Sequence, residues 1–224
     1  MPRGRLIVLE GAEGVGKTTQ LRRLDEWLGA LEVPHLCLRE PGGTALGNDI
    51  RRILLDRSRH LGPRAEALLF MASRAQLMEE LVLPAVGEGK VVVLDRFFLS
   101  TYAYQIAGRG LPGREIQWAN ALATHETVPD LTIVLRVPER ERERRTTSRG
   151  EADRIELAGD EFHQRVERAF DSFLDPEWQA KHPESGMIVA VDGTGTEDEV
   201  FERVVSVLAE RWPEAFSRPA RVRR

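Results

Sequence analysis

The residues best suited to chemistry lie near the start of the chain. Gly11-Ala12-Glu13-Gly14-Val15-Gly16-Lys17-Thr18 matches G-x-x-x-x-G-K-[ST] at every fixed position. Glycine has no Cβ, so successive backbone N–H groups there can turn inward and hold phosphate oxygens. Lys17 adds a point charge for the outer phosphates, and the Thr18 hydroxyl suits a Mg2+ shell that otherwise keeps its waters. The apolar run Leu6-Ile7-Val8-Leu9 feeds this turn, and Thr19-Gln20-Leu21-Arg22-Arg23-Leu24 continues it as a helical pattern. A helix starting there aims its partly positive N-terminus at the same anion. The stretch predicts binding of a nucleoside triphosphate with magnesium.

Further candidates follow along the chain. Glu13 is an acid inside the phosphate loop, where a carboxylate repels a triphosphate; it faces either a hydroxyl of a second substrate or solvent. Arg39-Glu40-Pro41-Gly42-Gly43-Thr44 ends the second strand-like run, and its Pro and Gly let backbone approach a ligand. Glu40 is also a possible base, were the acceptor a hydroxyl. Arg51 or Arg52 could grip a phosphate, or both could be solvated. Phe70 and Arg74 are i,i+4 neighbours: a ring and a guanidinium fit to stack on a base and bond its carbonyl edge, or a core Phe beside a surface Arg.

Lys90-Val91-Val92-Val93-Leu94 ends in Asp95-Arg96-Phe97. A carboxylate there can orient magnesium or its waters, and Arg96 can reach transferring phosphates. In Ser100-Thr101-Tyr102-Ala103-Tyr104-Gln105, helical spacing puts Thr101 and Gln105 on one face with Tyr104 beside them. The segment from Glu139 to Glu156 alternates charge in its first half, as in a solvated helix with pairs such as Glu141–Arg145. Its second half, around Ser148-Arg149-Gly150, loses apolar periodicity, as a closing phosphate lid requires.

These groups need a scaffold. Short, continuously apolar runs at Leu6–Leu9, His35–Leu38, Val91–Leu94, Leu131–Val137 and Met187–Val191 read as strands buried on both faces. Helical patterns lie at Thr18–Leu31, Ala45–Leu55, Pro63–Val86, Leu99–Ala107, Arg114–Thr124, Glu139–Thr147, Asp160–Phe173 and Glu197–Arg211. The alternation predicts an α/β fold, a doubly wound five-stranded parallel sheet flanked by helices, with ligands at the carboxyl ends of the strands. The expected organisation is one domain over 1–212, an arginine-bearing lid at about 146–158 and a frayed tail over 213–224.

Composition bounds the partners. The 224 residues are 42% hydrophobic and 30% charged, ordinary for a single soluble domain. A net charge of −4 offers no basic field for nucleic acid or a membrane surface. No apolar run approaches the roughly 20 residues of a membrane span. Lysine occurs only at Lys17, Lys90 and Lys181 among 32 basic residues, which singles out the one in the phosphate loop. The one cysteine, Cys37, reads as a buried thiol in a reducing compartment, and with no room for a leader before the first strand the expected location is the cytoplasm.

Taken in order, the phosphate loop with its internal acid, Arg-Glu-Pro-Gly-Gly-Thr, the Phe70/Arg74 pair, Asp-Arg-Phe, Ser-Thr-x-Ala-Tyr-Gln and Arg-Gly-Glu-x-Asp-Arg-Ile-Glu resemble the thymidylate kinase family over nearly the whole chain. The resemblance implies a P-loop kinase fold and Mg2+-dependent transfer from ATP to dTMP, on the route to dTTP. It implies that Gly11, Ala12, Glu13, Gly14, Val15, Gly16, Lys17, Thr18 and Thr19 hold ATP, with Thr18 and (through water) Asp95 on the metal. It implies that Phe70 stacks on thymine, Arg74 bonds its exocyclic oxygen, Thr101 and Gln105 contact base and sugar, and Tyr104 lies where a 2′-hydroxyl would sit. Glu40 and Glu13 belong to the same acceptor site, Glu13 receiving the 3′-hydroxyl, and Arg51 and Arg96 clamp the monophosphate. Lys17, Asp95, Arg96 and the lid residues Arg149 and Arg154 form the catalytic set, since positions 12–15 carry no arginine. The family further implies a homodimer packed through helices beside the acceptor site. Arg136, where the family usually has an aspartate, is a departure near the lid hinge, and Val191-Asp192-Gly193-Thr194 matches the family's adenine-side loop only loosely. Other readings are a kinase for another pyrimidine (deoxy)nucleoside monophosphate or a deoxynucleoside, and a nucleotide-binding protein without turnover.

Overall fold

The computed structural model describes residues 3–147 and 153–216. In chain order, β1 (Arg5–Glu10) turns through the glycine loop into α1 (Lys17–Ala30), and β2 (His35–Arg39) leads to α2 (Ala45–Leu55) and α3 (Pro63–Leu77). A π-helical turn at Met78–Val82 joins α3 to α4 (Leu83–Gly87), and β3 (Val91–Asp95) follows. Next come α5 (Phe98–Thr101), a π-helical stretch over Tyr102–Gly108, α6 (Gly113–Thr124), β4 (Leu131–Arg136) and α7 (Glu139–Thr147). Then α8 (Asp160–Ser172), α9 (Pro176–Lys181), β5 (Ile188–Asp192), α10 (Glu197–Arg211) and α11 (Pro213–Phe216) follow, the last ending the described residues.

The five strands form one parallel sheet in the order β2-β3-β1-β4-β5. The chain runs from β1 to one side of the sheet and later crosses to the other, so the reversal point flanks β1. That is where doubly wound sheets bind ligands. β1 and β3 are buried along almost their whole length, as their apolar runs require of central strands. β2 and β5 are edge strands and only half-buried, so the expectation of burial on both faces does not extend to them. Cys37 on β2 is accordingly half-buried rather than deep. Burial and the neighbouring Asp25 still push its thiol up to about 12, which leaves it protonated and inert. Among the described residues no helix is long and apolar enough to cross a membrane.

Two expected helices are not regular. Pro84 has no N–H, and its ring crowds the carbonyl one turn earlier, so the helix widens into the π turn just before it. The second π stretch, Tyr102–Gly108, packs against α8, where a Cβ on Gly108 would stand 2.6 Å from the Phe162 ring. α9 was not legible as a helix: it has six residues and no apolar period, and is set by the Asp175 cap, which accepts from the Glu177 amide at 2.8 Å. At the C-terminus, packed structure continues past the expected boundary at 212. Phe216 is 2% exposed and rests 5.6 Å from Trp27, so 213–216 is helix rather than frayed tail. Residues 217–224 lie outside the described residues.

Candidate active site

The sheet register brings the candidate residues to one edge. Leu9 pairs with Asp95, and Arg39 pairs with Asp95 from the other side, so the glycine loop, Asp95-Arg96 and Arg39-Glu40 leave the sheet together. The Arg96 amide donates to Leu9 at 3.0 Å and the Glu40 amide to Asp95 at 2.9 Å, extending both ladders by one bond.

Gly11 and Gly16 take positive φ values of 135° and 96°. A Cβ on Gly11 would lie 2.6 Å from the Leu135 carbonyl oxygen, so only glycine lets the loop pass β4. Gly16 caps α1 without a side-chain bond, and no acid sits in the first helical turn. The first amides, including those of Lys17, Thr18 and Thr19, are therefore left for an anion. Lys17 is 6% exposed and its Nζ donates to the carbonyls of Gly11 and Ala12, both at 2.8 Å. Burial, with Arg96 nearby, lowers its pKa to about 8. Thr18 donates its hydroxyl to Asp95 Oδ2 at 3.0 Å. Asp95 Oδ1 is buried with no hydrogen-bond partner among the described residues. A hydroxyl and a carboxylate with one oxygen unsatisfied are the hard donor set that Mg2+ and its waters take.

Beside the loop lies a cleft lined by Glu13, Lys17, Thr18, Arg39, Glu40, Arg51, Phe70, Arg74, Asp95, Arg96, Thr101, Tyr104 and Gln105. The sequence-predicted acceptor residues are thus brought together. Arg96 is held in the left-handed region at φ 76°, a conformation that costs a side-chain-bearing residue about 1–3 kcal/mol. Its guanidinium sits 5.0 Å from the Tyr104 ring and donates to Glu13 Oε2 at 3.2 Å and Ser100 Oγ at 3.1 Å. Burial alone would lower its pKa, but Tyr104 and the carboxylates of Glu13 and Asp95 more than offset that, so it stays charged. Glu13 lines this cleft and accepts from Arg96.

Arg74 is 2% exposed, and its N–H groups are all directed at protein acceptors: Glu40, Thr101, Asn120 and the Phe97 carbonyl. A base can reach it only by sharing one of these bonds. Its face-mate Phe70 is half-buried, with its ring in the cleft lining. Burial pushes Glu40's pKa up against the pull of Arg74, which holds Oε2, while Oε1 is buried without a hydrogen-bond partner among the described residues. Gln105 is 3% exposed and its Nε2 has no partner among the described residues, an open donor on the cleft wall. Arg51 donates to the Pro41 carbonyl at 3.0 Å and lines the cleft; burial, Arg39 and Arg96 lower its pKa, as crowding of cations around an anion site does.

The segment after α7 divides. Arg149 lies outside the described residues. Asp153 and Glu156 line the cleft, whereas Arg154 between them pairs with Glu66, its Nη1 2.8 Å from the carboxylate. Arg136 pairs with Asp171 at 2.8 Å on the surface, an exposed bond of little weight.

Some residues escaped the sequence reading. Glu10, 0% exposed, accepts from the Phe97 amide at 2.7 Å; its only signal is an acid closing an apolar strand. Arg145, read as part of a solvated helix, does pair with Glu141 as expected. It also reaches the Gly193 carbonyl at 3.1 Å and lies 4.0 Å from where a Cβ on Gly16 would be, beside the phosphate loop. Asn120, on α6, had no local signal at all.

A phosphate loop on the central strand, with a second cation-lined cleft at the same sheet edge, defines a P-loop kinase that handles two anionic ligands. The family model described as thymidylate kinase matches residues 9–183. The chain is 46% identical over 187 residues to a thymidylate kinase of Cutibacterium acnes, covering 83% of this chain and 88% of that one. It is 40% identical over 211 residues to that of Deinococcus radiodurans, covering 94% and 99%. The crystal structure of thymidylate kinase from Ehrlichia chaffeensis superposes with a TM-score of 0.69 at 28% identity, over 92% of this chain and 99% of that one. The chain belongs to the thymidylate kinase family.

Proposed function

We propose that the protein transfers the γ-phosphoryl group of ATP to a phosphate oxygen of dTMP, giving ADP and dTDP. The observation that carries this is Arg96, set between the phosphate loop and the Phe70/Gln105 cleft and bonded to Glu13. In the transfer, the bond from the γ-phosphorus to the β–γ bridging oxygen breaks, and a dTMP oxygen forms the new bond. The acceptor is already an anion, so no general base is needed; alignment and charge neutralisation supply the rate.

The chain's residues divide the work. The loop amides and Lys17 hold the donor phosphates. Arg51 and Arg96 grip the acceptor phosphate, and Arg96 with Arg149 spreads the charge of the transferring group. Phe70 supplies a stacking face, and Gln105 and Thr101 polar contacts to base and sugar. Tyr104, packed against Arg96, fills the sugar edge and disfavours a 2′-hydroxyl, while Glu13 receives the 3′-hydroxyl. Thr18 and Asp95 would hold Mg2+, which when bound neutralises phosphate charge. The lid at about 146–158 excludes the water that would otherwise make the enzyme an ATPase.

The protein acts in a reducing cytoplasm, where its one free cysteine needs no partner. It works as a homodimer through α3 and α6, which expose Leu68 (63%), Trp118 (62%) and Leu122 (83%) beside the acceptor cleft. Light scattering on an eluting peak of two chain masses supports this; one chain mass overturns it. For the activity, ADP release is measured with ATP, Mg2+ and each nucleoside monophosphate in turn. Strong preference for dTMP is expected. Equal rates with UMP or dCMP discard the thymine assignment, and ATP binding without transfer discards the kinase.

A further inference from the structure

We infer that Glu66, through Arg154, is a positioning residue for the acceptor, and that Arg154 acts on acceptor binding rather than on the transferring phosphoryl group. Glu66 lies in the first turn of α3, one turn before Phe70, yet its side chain is 1% exposed. Arg109, just past the π-helical stretch that carries Tyr104 and Gln105, grips both its oxygens, at 3.0 and 2.9 Å. Arg154 reaches the same carboxylate at 2.8 Å from Nη1. Arg154 is also tied to the end of α2, its Nε donating to the Leu54 carbonyl at 2.8 Å and its amide to Leu55 at 3.4 Å.

One buried carboxylate therefore joins the elements that line the acceptor cleft. A carboxylate removed from water is tolerable only with charged, hydrogen-bonded partners, and such a knot fixes one arrangement of the elements that meet there. The turn beside Arg154 is closed by Asp153, whose Oδ1 accepts from the amides of Ile155 at 2.8 Å and Glu156 at 3.0 Å. Asp153 and Glu156 face the cleft, so anchoring Arg154 sets where they stand. Arg154 itself is not among the cleft lining; its Nε and Nη1 are engaged, while its Nη2 is buried without a hydrogen-bond partner among the described residues. Loss of the anchor frees this turn, while Lys17's bonds to Gly11 and Ala12 within the phosphate loop are left in place.

The inference rests on the dTMP reading of the cleft, and the test separates the two. Arg154→Ala leaves Glu66 paired with Arg109, which favours a folded protein; kcat, KM for each substrate and melting temperature are measured on the full chain. The expected result is a rise in KM for dTMP of about tenfold or more, with kcat and KM for ATP moving less than about threefold. Glu66→Gln, which keeps shape but not charge, is expected to raise KM for dTMP too, and the double variant to be no worse than the worse single. A fall in kcat of about a hundredfold with KM for dTMP unmoved overturns the inference, because Arg154 then acts on the transition state. A lowered melting temperature with unmoved kinetics overturns it as well. Phe70→Ala is assayed in parallel: an unmoved KM for dTMP there overturns the cleft reading itself.

Discussion

Glu10 holds Ser100 twice: the Ser100 amide donates to Oε1 at 3.0 Å and its hydroxyl to Oε2 at 2.7 Å. The same Oε1 accepts from the Phe97 amide. The last residue of the central strand thus clamps the turn that keeps Arg96 in its left-handed conformation, with the Ser100 hydroxyl also accepting from Arg96. Glu10→Ala leaves two amides and a hydroxyl without their buried acceptor. A loss of roughly 2–5 kcal/mol of stability is expected in urea unfolding, with kcat reduced in the material that folds. Full stability and full turnover would show that the turn holds itself.

Arg96 is the cation that touches both sides of the site. Arg96→Ala is expected to lower kcat by about a hundredfold or more, the scale of losing one preorganised charge at a transition state. ATP affinity, set by the loop amides and Lys17, should change little. Titration of ATP onto the variant and its steady-state rate decide the matter together; a wild-type kcat removes Arg96 from the mechanism.

Lys17 titrates near the working range, at about 8 in the free protein. A bound triphosphate favours the charged form, so the complex holds the proton to higher pH. Below pH 8 the group is charged either way and adds no pH dependence. Above it, binding must take up a proton, and ATP affinity should weaken by up to about tenfold per pH unit. Calorimetry in buffers of different ionisation enthalpy reads that uptake directly, and Lys17→Arg should abolish it. For folding the sign is separate: a lysine with a lowered folded pKa lets stability rise with pH between about 8 and 10.5.

Phe216 anchors α11 against Trp27 and Trp212. Phe216→Ala is expected to cost roughly 3–5 kcal/mol, seen as a lower denaturation midpoint, with KM values unchanged because neither Phe216 nor its ring partners Trp27 and Trp212 line the cleft. A neutral substitution would restore the frayed tail expected from the sequence.

Much was written locally. The spacing of glycines, Lys17 and Thr18 fixes a phosphate loop because it constrains a few consecutive backbone angles and one helix start. The apolar runs of β1, β3 and β4 mark the centre of a parallel sheet because strands buried on both faces have nowhere to place polar side chains, while the edge strands β2 and β5 are half-buried. The i,i+4 spacing of Phe70 and Arg74 puts both on one helix face, and both reach the cleft. What the spacing could not tell is which partners each side chain meets. Arg74 is bound to Glu40 and Asn120, Glu10 to Ser100, and Arg154 to Glu66, each across dozens of residues. Those pairings depend on strand order and helix packing, which bring distant segments within 3 Å. An arginine's sequence neighbours describe its charge; only the fold decides whether that charge faces a phosphate or is already neutralised by a buried carboxylate.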